Sequence, residues 1–183
     1  MNTRATEDRQ KPAPEPSLTD VATLRRLARE NILDGAVTPG YAGDEAVACE
    51  LLNDALATEI VCVLRYRRHY FMAKGIHAGS VKQEFLEHAI EEQQHADRIA
   101  ERIVQLGGEP NFSPEGLLAR SHSEYVEGAE LFDMITEDLV AERVAIDSYR
   151  ELVEYFRAFD STTRKMLEEI QASEEEHLSL IHI

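Results

Sequence analysis

The residues best able to do chemistry in this sequence are glutamates and histidines that recur in a fixed order. A lone glutamate comes first, and a glutamate and a histidine three positions apart follow it further along the chain; the same arrangement then occurs a second time. In chain order the six residues are Glu59, Glu92, His95, Glu142, Glu174 and His177. Glu92 follows Glu59 by 33 positions, and Glu174 follows Glu142 by 32. The two halves of the chain therefore carry the same set of side chains.

These six side chains lie where the helical periodicity predicts core residues. Apolar residues spaced as on one helix face surround each glutamate, and a histidine three positions further on faces the same way. One buried, unpaired carboxylate costs several kcal/mol, and no lysine or arginine occurs at the same level of these faces to balance four of them. Two divalent cations would balance them. The sequence therefore predicts a dinuclear metal site.

Other polar residues lie close enough in sequence to support such a site. Tyr66 and Tyr149 each follow a lone glutamate by seven positions, so they could donate a hydrogen bond or an electron near it. Asp138 lies one helical turn before Glu142 and could orient a ligand histidine.

Four further titratable residues are interpreted as lying outside the ligand set. His69 and His88 are predicted to be surface or lining residues. Glu87 and Glu91 are interpreted as a solvated acidic face, with the lining of an iron-entry surface as the alternative.

The elements that must position these residues are helices. The predicted helices run over 18–34, 44–74, 80–106, 125–158 and from 161 to the end. Asp44 and Ser80 precede the first two long helices as N-caps, and Gly107 ends the second. Ser17 followed by Asp20 has the spacing of a capping box.

The lengths of the connections predict how the four long helices are arranged. Short links join the first to the second and the third to the fourth, so each pair is predicted to be an antiparallel hairpin. The link over 107–124 is long enough to cross the whole length of a bundle. The sequence thus predicts an all-α, up-down-down-up four-helix bundle preceded by a short N-terminal helix.

Composition and charge exclude several classes of partner. The chain has 183 residues, enough for one domain, and a formal net charge of −16, so it repels nucleic acid and anionic membranes. No run of about 18 apolar residues occurs. We therefore expect neither a nucleic-acid partner nor a membrane. Cys49 and Cys62 lie about 19 Å apart on one predicted helix, too far for a disulfide. We expect a cytoplasmic location.

The chain is predicted to divide into three parts. Residues 1–16 are proline-rich and are interpreted as a disordered tail. Residues 17–43 form the short helix and a loop, and 44–183 form the bundle. The last six residues, LSLIHI (178–183), coincide with one reading frame of a transposon-end adaptor used in DNA sequencing libraries. We interpret them as an artefact that replaces the natural continuation, including any fifth helix.

The sequence resembles the bacterioferritins and Dps-like proteins of the ferritin-like di-iron superfamily. The resemblance covers about residues 44–177 and is carried by three segments. They are LLNDALATEIVCVLRYRRHY (51–70), EEQQHADRIAERIVQLGGEPN (91–111) and DLVAERVAIDSYREL (138–152). It implies a ferritin-like fold for the predicted bundle.

The resemblance also implies roles for the six residues. Glu92 and Glu174 would bridge two metals. Glu59 with His95 would be the terminal ligands of one metal, and Glu142 with His177 would be those of the other. Bacterioferritins have a haem-ligating methionine directly after the bridging glutamate of their second helix. This chain has Gln93 there, so we expect no haem.

Carboxylate-rich sites with one imidazole per metal favour iron or manganese. We therefore hypothesise a ferroxidase with two iron ions per chain, manganese being the alternative. The substrates would be Fe(II) with O₂ or H₂O₂, and the six ligands would be the catalytic residues. The resemblance implies storage in a homo-oligomeric cage of 12 or 24 subunits. The alternatives are a Dps-like or rubrerythrin-like protein that consumes peroxide without bulk storage, the latter with a separate electron donor, and a manganese catalase.

Overall fold

The computed structural model describes residues 18–33, 37–75 and 78–181, and within them the secondary structure is entirely helical. The six helices are α1 (Val21–Glu30), α2 (Glu45–Met72), α3 (Ala78–Gln105), α4 (Leu117–Arg120), α5 (Leu131–Phe156) and α6 (Ser161–Ile181). Within these residues no helix is both long and apolar enough to cross a membrane.

Helix α1 belongs to a separate unit that ends at Leu33. Its N-cap is Asp20, whose carboxylate accepts hydrogen bonds from the backbone amides of Ala22 and Thr23 at 2.9 and 3.0 Å. The predicted capping residue Ser17 lies outside the described residues. The observed N-cap is Asp20, so the helix begins at Val21 and not at the predicted residue 18. The predicted disordered tail, 1–16, lies outside the described residues.

The second unit begins at Asp34 and contains the four long helices. Contacts between α2 and α5 show the relative direction of these two helices. A residue early in one helix contacts a residue late in the other. Tyr149 reaches Glu59 whereas Tyr66 reaches Glu142, so α2 and α5 are antiparallel. Helices α2 and α3 pack as one hairpin and α5 and α6 as the other. The predicted all-α, up-down-down-up bundle is confirmed.

Two apolar clusters occupy the bundle, one on each side of its polar middle. The larger surrounds Leu56, Ile99, Phe156 and Leu167 from all four long helices. The smaller surrounds Tyr66 and packs α2 against α3 and the start of α5. Burying these side chains stabilises the bundle and fixes the level at which polar residues between the clusters face each other.

The crossover from α3 to α5 runs along α2 and is hydrogen-bonded to it at successive levels. The Asn53 side-chain oxygen accepts from the Asn111 amide at 2.7 Å, and the Thr58 hydroxyl accepts from the His122 amide at 2.9 Å. Further on, Arg65 donates to the Glu124 carbonyl at 3.0 Å. The crossover also contains the short helix α4, which the sequence did not predict.

Two further helix starts differ from the predicted ones. Helix α3 begins at Ala78, so Ser80 lies inside the helix and is not its cap. Helix α5 begins at Leu131 rather than near residue 125 because Gly128 has a φ of 66° and Glu130 forms a capping box with Asp133. A left-handed residue stops a helix from extending backwards through it.

Candidate metal centre

All six predicted site residues come together in the middle of the bundle. Helix α2 supplies one glutamate, α5 supplies another, and α3 and α6 each supply a glutamate and a histidine one turn apart. None of the six is more than 5% exposed. Their donor atoms form two overlapping groups, each with all atoms within 4.8 Å of one another. The groups are Glu59, Glu92, His95 and Glu174, and Glu92, Glu142, Glu174 and His177.

Several donor atoms in these groups face each other without a hydrogen bond, as ligand atoms around a shared cation do. Nδ1 of His177 lies 3.5 Å from Glu174 Oε2 and 3.7 Å from Glu142 Oε2. Neither this nitrogen nor Oε2 of Glu142 has a hydrogen-bond partner among the described residues. A buried polar atom left unpaired costs about 1–3 kcal/mol. The donor set of carboxylate oxygens with one imidazole per group therefore fits a pair of iron or manganese ions.

Two tyrosines link the lone glutamates across the bundle. Tyr66 follows Glu59 along α2 but donates its hydroxyl hydrogen to Glu142 on α5. Tyr149 follows Glu142 along α5 but donates to Glu59 on α2. The sequence placed each phenol near the site, and the structure shows that each serves the glutamate of the opposite hairpin. Such contacts orient a carboxylate for metal binding.

Crowding of the carboxylates determines where protons are held. Burial raises the pKa of Glu92, and the charges of Glu174 and Glu59 raise it further. Burial and Glu59 likewise raise the pKa of Glu174 to about 7. Burial would lower the pKa of His95, but its contacts with Glu174, Glu59 and Glu92 raise it to about 12. His177, close to Glu142 and Glu174, also reaches a pKa of about 12. Both imidazoles therefore carry a positive charge at neutral pH when no cation is bound.

Comparison with known proteins agrees with this geometry. Residues 49–182 match the ferritin-like domain family. The chain belongs to the ferritin-like family. It is 28% identical over 136 residues to the bacterioferritin of Desulfovibrio desulfuricans, covering 74% of this chain and 72% of the relative. It is 32% identical over 132 residues to a nutrient stress-induced DNA-binding protein of Synechococcus sp., covering 70% of this chain and 74% of that protein.

Solved structures show the same relationship. The bacterioferritin-related protein of Bacteroides fragilis, described as a dodecameric thioferritin, superposes with a TM-score of 0.73 at 30% identity, covering 76% of this chain and 84% of that one. A Dps protein from Bacillus brevis superposes with a TM-score of 0.71 at 21% identity, covering 75% and 94%, which shows a shared fold.

In this ferritin-like chain, metal binding should release protons. Because His95 and His177 are protonated at neutral pH, each must lose its Nδ1 proton before that nitrogen can bind a cation. We expect about two or more protons per chain to be released when two divalent cations bind near pH 7. Affinity should then fall as the pH is lowered, by about tenfold per unit for each proton released. Titration calorimetry in buffers of different ionisation enthalpy measures the number released, and a value of zero would contradict the protonation described here.

Glu91 contacts the outer side of one ligand. It lies next to Glu92, is about half exposed, and reaches Nε2 of His177. The interpretation of Glu91 as only a solvated acidic residue is therefore incomplete. A carboxylate on the far nitrogen of a ligand histidine fixes the ring so that its other nitrogen faces the metal.

Asp138 does not orient a ligand histidine, contrary to the prediction. It accepts hydrogen bonds from Arg65 Nε at 2.9 Å and from His69 Nδ1 at 2.8 Å. His69 Nε2 lies 3.1 Å from the carbonyl oxygen of Val126. Both ring nitrogens of His69 thus face oxygen atoms of other residues, which fixes the orientation of the ring. All three side chains of this cluster are buried, so His69 is not a surface residue.

Sequence reasoning missed Arg65 and His88 as buried neighbours of the centre. His88 is only 2% exposed, and its ring stacks on that of His177 with centroids 4.0 Å apart. Burial and the charge of His177 lower the pKa of His88 to about 4, so the ring is neutral near pH 7. The available signal for His88 was its position four residues before Glu92 on the same helix face. Arg65 gave no such signal, because its partner comes from another helix.

Proposed function

We propose that this protein is a ferroxidase-type oxidoreductase that oxidises Fe(II) to Fe(III) and retains the ferric product in an oligomeric cage. The observation that carries the proposal is the meeting of four buried carboxylates and two imidazoles from four helices in two overlapping groups. Membership of the ferritin-like family and similarity to bacterioferritins support the same function.

The six side chains would have different roles in holding the two ions. Glu59 with His95 would hold one Fe(II), and Glu142 with His177 would hold the other. Glu92 and Glu174, which belong to both groups, would lie between the two ions. Four carboxylates favour the more highly charged Fe(III) product over Fe(II) by electrostatic attraction. Two resident iron ions per chain, with manganese as the alternative, follow from the same donors.

The reaction balances with either oxidant. Each Fe(II) gives one electron, and the two electrons with two protons reduce H₂O₂ to two water molecules or O₂ to H₂O₂. The phenols of Tyr66 and Tyr149 hold the lone glutamates in place during this change of charge. Burial raises the pKa of both phenols, so they stay protonated as donors.

The cage is proposed from relatives, one of which is described as dodecameric. We propose a closed homo-oligomer of 12 or 24 copies that removes Fe(II) from solution and so protects against oxidants. The experiment is repeated aerobic addition of Fe(II), followed by gel filtration and measurement of iron per chain. Iron far above two per chain, eluting with a large assembly, is the expected result. Retention of no iron would overturn the proposal.

The phenol contacts should contribute measurably to Fe(II) binding. Tyr149→Phe removes the hydrogen bond to Glu59 but keeps the ring, so anaerobic Fe(II) affinity should fall by about tenfold. Tyr155→Phe is the matched control, because Tyr155 lies on the same helix, is partly exposed and has no contact with the six residues. Equal affinities of the two variants in anaerobic titration calorimetry would contradict this role.

A peroxide-consuming role without bulk storage is the second candidate. Its support is that the same donor groups for two metal ions could deliver two electrons to H₂O₂ whether or not the ferric product is stored. The net charge of −16 argues against adhesion to DNA. Retention of about two irons per chain, with faster iron oxidation by H₂O₂ than by O₂, would favour this candidate.

A further inference from the structure

Three buried polar side chains form a clamp beside the centre that none of the roles described above uses. They are Arg65 and His69 from α2 and Asp138 from α5, and none is more than 1% exposed. Arg65 and His69 lie one turn apart on their helix, and each contacts a different carboxylate oxygen of Asp138. The clamp therefore joins α2 to α5 in the interior of the bundle.

The other half of the chain shows that packing alone does not require the clamp. Because both halves carry the same spacing of glutamate and tyrosine, each clamp residue has a counterpart at the same distance from the other lone glutamate. The counterparts of Asp138, Arg65 and His69 are, in that order, Ala55, Ser148 and Leu152. Ala55 and Leu152 are buried, and none of the three counterparts is charged. The bundle thus packs around one lone glutamate with uncharged residues and around the other with an ion pair.

The clamp lies directly against Tyr66, the residue whose phenol contacts Glu142. Arg65 precedes Tyr66 on α2, and its guanidinium carbon lies 5.6 Å from the centre of the phenol ring. Asp138 lies one turn before Glu142 on α5. The clamp and the contact between Tyr66 and Glu142 therefore join the same two helices at adjacent levels. A fixed register between α2 and α5 keeps the hydroxyl within reach of its carboxylate.

The clamp is also bound to the crossover. Nη1 of Arg65 donates to the carbonyl oxygen of Glu124 at 3.0 Å, and Nε2 of His69 lies 3.1 Å from the carbonyl oxygen of Val126. Each of the two α2 residues thus has one partner on α5 and another in the crossover. Neither side chain can move without losing contacts to both segments.

We propose that the clamp is a positioning device for Glu142, which acts through Tyr66 and makes the cation position of Glu142 and His177 the tighter of the two. This inference rests on the proposed dinuclear centre. A carboxylate that is already held in its binding orientation loses less freedom when a cation binds. Glu59 receives the phenol of Tyr149 without such a clamp, so the two positions fill in order.

The test is anaerobic Co(II) titration of the chelator-treated full-length protein, following the affinity of each ion and its visible absorption. The triple variant combines Arg65→Met, His69→Leu and Asp138→Ala, which leaves no charge of the clamp unpaired. We expect the tighter ion to bind about tenfold more weakly, with a changed absorption spectrum, and the other ion to keep its affinity. The control combines Arg102→Met with Asp160→Asn, which removes an ion pair of 3.0 Å between α3 and the residue before α6. Both affinities should be unchanged in the control.

Tyr66→Phe identifies the route of the effect. In a Tyr66→Phe background the triple change should cause little further loss, because the hydroxyl through which the clamp acts is already absent. In a Tyr149→Phe background the same change should still weaken one ion by about tenfold. A general loosening of the bundle would instead weaken both ions in both backgrounds, and that result would overturn the proposal.

The remaining outcomes separate the clamp from the centre. Unchanged affinities and an unchanged spectrum in the folded triple variant would overturn the clamp and leave the dinuclear centre intact. Binding of no Co(II) by the unaltered protein would overturn the centre and the clamp together. If the triple variant does not fold, Asp138→Asn, which keeps the shape of the side chain, tests the same expectations against the same control.

Discussion

Glu92→Gln is expected to lower the rate of iron-dependent oxidant consumption by at least about 100-fold. Glu92 belongs to both donor groups, so its replacement removes a ligand from each position at once. The neutral amide keeps the shape of the side chain but not its charge. The measurement is oxygen or peroxide consumption after addition of Fe(II), recorded at equal protein concentration.

The stability of the metal-free variant distinguishes a loss of activity from a failure to fold. Burial and the neighbouring carboxylates raise the pKa of Glu92, so a charge at this position is unfavourable when no cation is present. The metal-free Glu92→Gln protein should therefore be at least as stable as the unaltered one. Glu101→Gln, an exposed change on the same helix, is the matched control and should keep full activity. Full activity in Glu92→Gln would show that the paired groups do not perform the oxidation.

Asp138→Ala should produce the largest loss of stability among the changes described here. Asp138 is the shared acceptor of Arg65 and His69, and all three side chains are buried. Its removal leaves a buried guanidinium and a buried imidazole without their carboxylate. Breaking a buried charge pair from one side costs about 3–5 kcal/mol. The free energy of unfolding from urea denaturation, measured with chelator present, should fall by about this amount.

The matched control for this change is Asp147→Ala on the same helix. Asp147 pairs with Arg150 at the surface, where both side chains are more than half exposed. Such exposed pairs contribute about 0–1 kcal/mol. If the two variants unfolded at the same urea concentration, the buried cluster could not be a main source of stability.

Much of the fold and the candidate centre follows from the sequence, because burial of charge is costly and therefore conspicuous. A glutamate on an otherwise apolar face, as at Glu59 or Glu142, needs a compensating charge wherever the helix packs. Helical spacing alone places Glu92 and His95 on one face. The short links within each hairpin and the long link between the hairpins then predict the up-down-down-up arrangement of the four helices.

The features that could not be predicted from the sequence depend on contacts between residues far apart in the chain. The sequence gives no signal that Arg65 is buried, because its partner Asp138 comes from α5. Tyr66 donates to Glu142 and Tyr149 donates to Glu59. These partners can be identified only when the register between α2 and α5 is known. His88 reads as a lining residue because only packing shows that its ring is enclosed.

The path of the crossover along α2 has a consequence for local opening of the chain. The amides of Asn111 and His122 lie outside regular helices, yet they donate to side chains that α2 holds in place. Those of Ser113 and Glu115 donate only to neighbours two residues away. In hydrogen–deuterium exchange, Asn111 and His122 should exchange as slowly as the helix that anchors them, whereas Ser113 and Glu115 should exchange early. The two anchored positions of the crossover would thus open only together with the bundle, while the stretch between them opens independently.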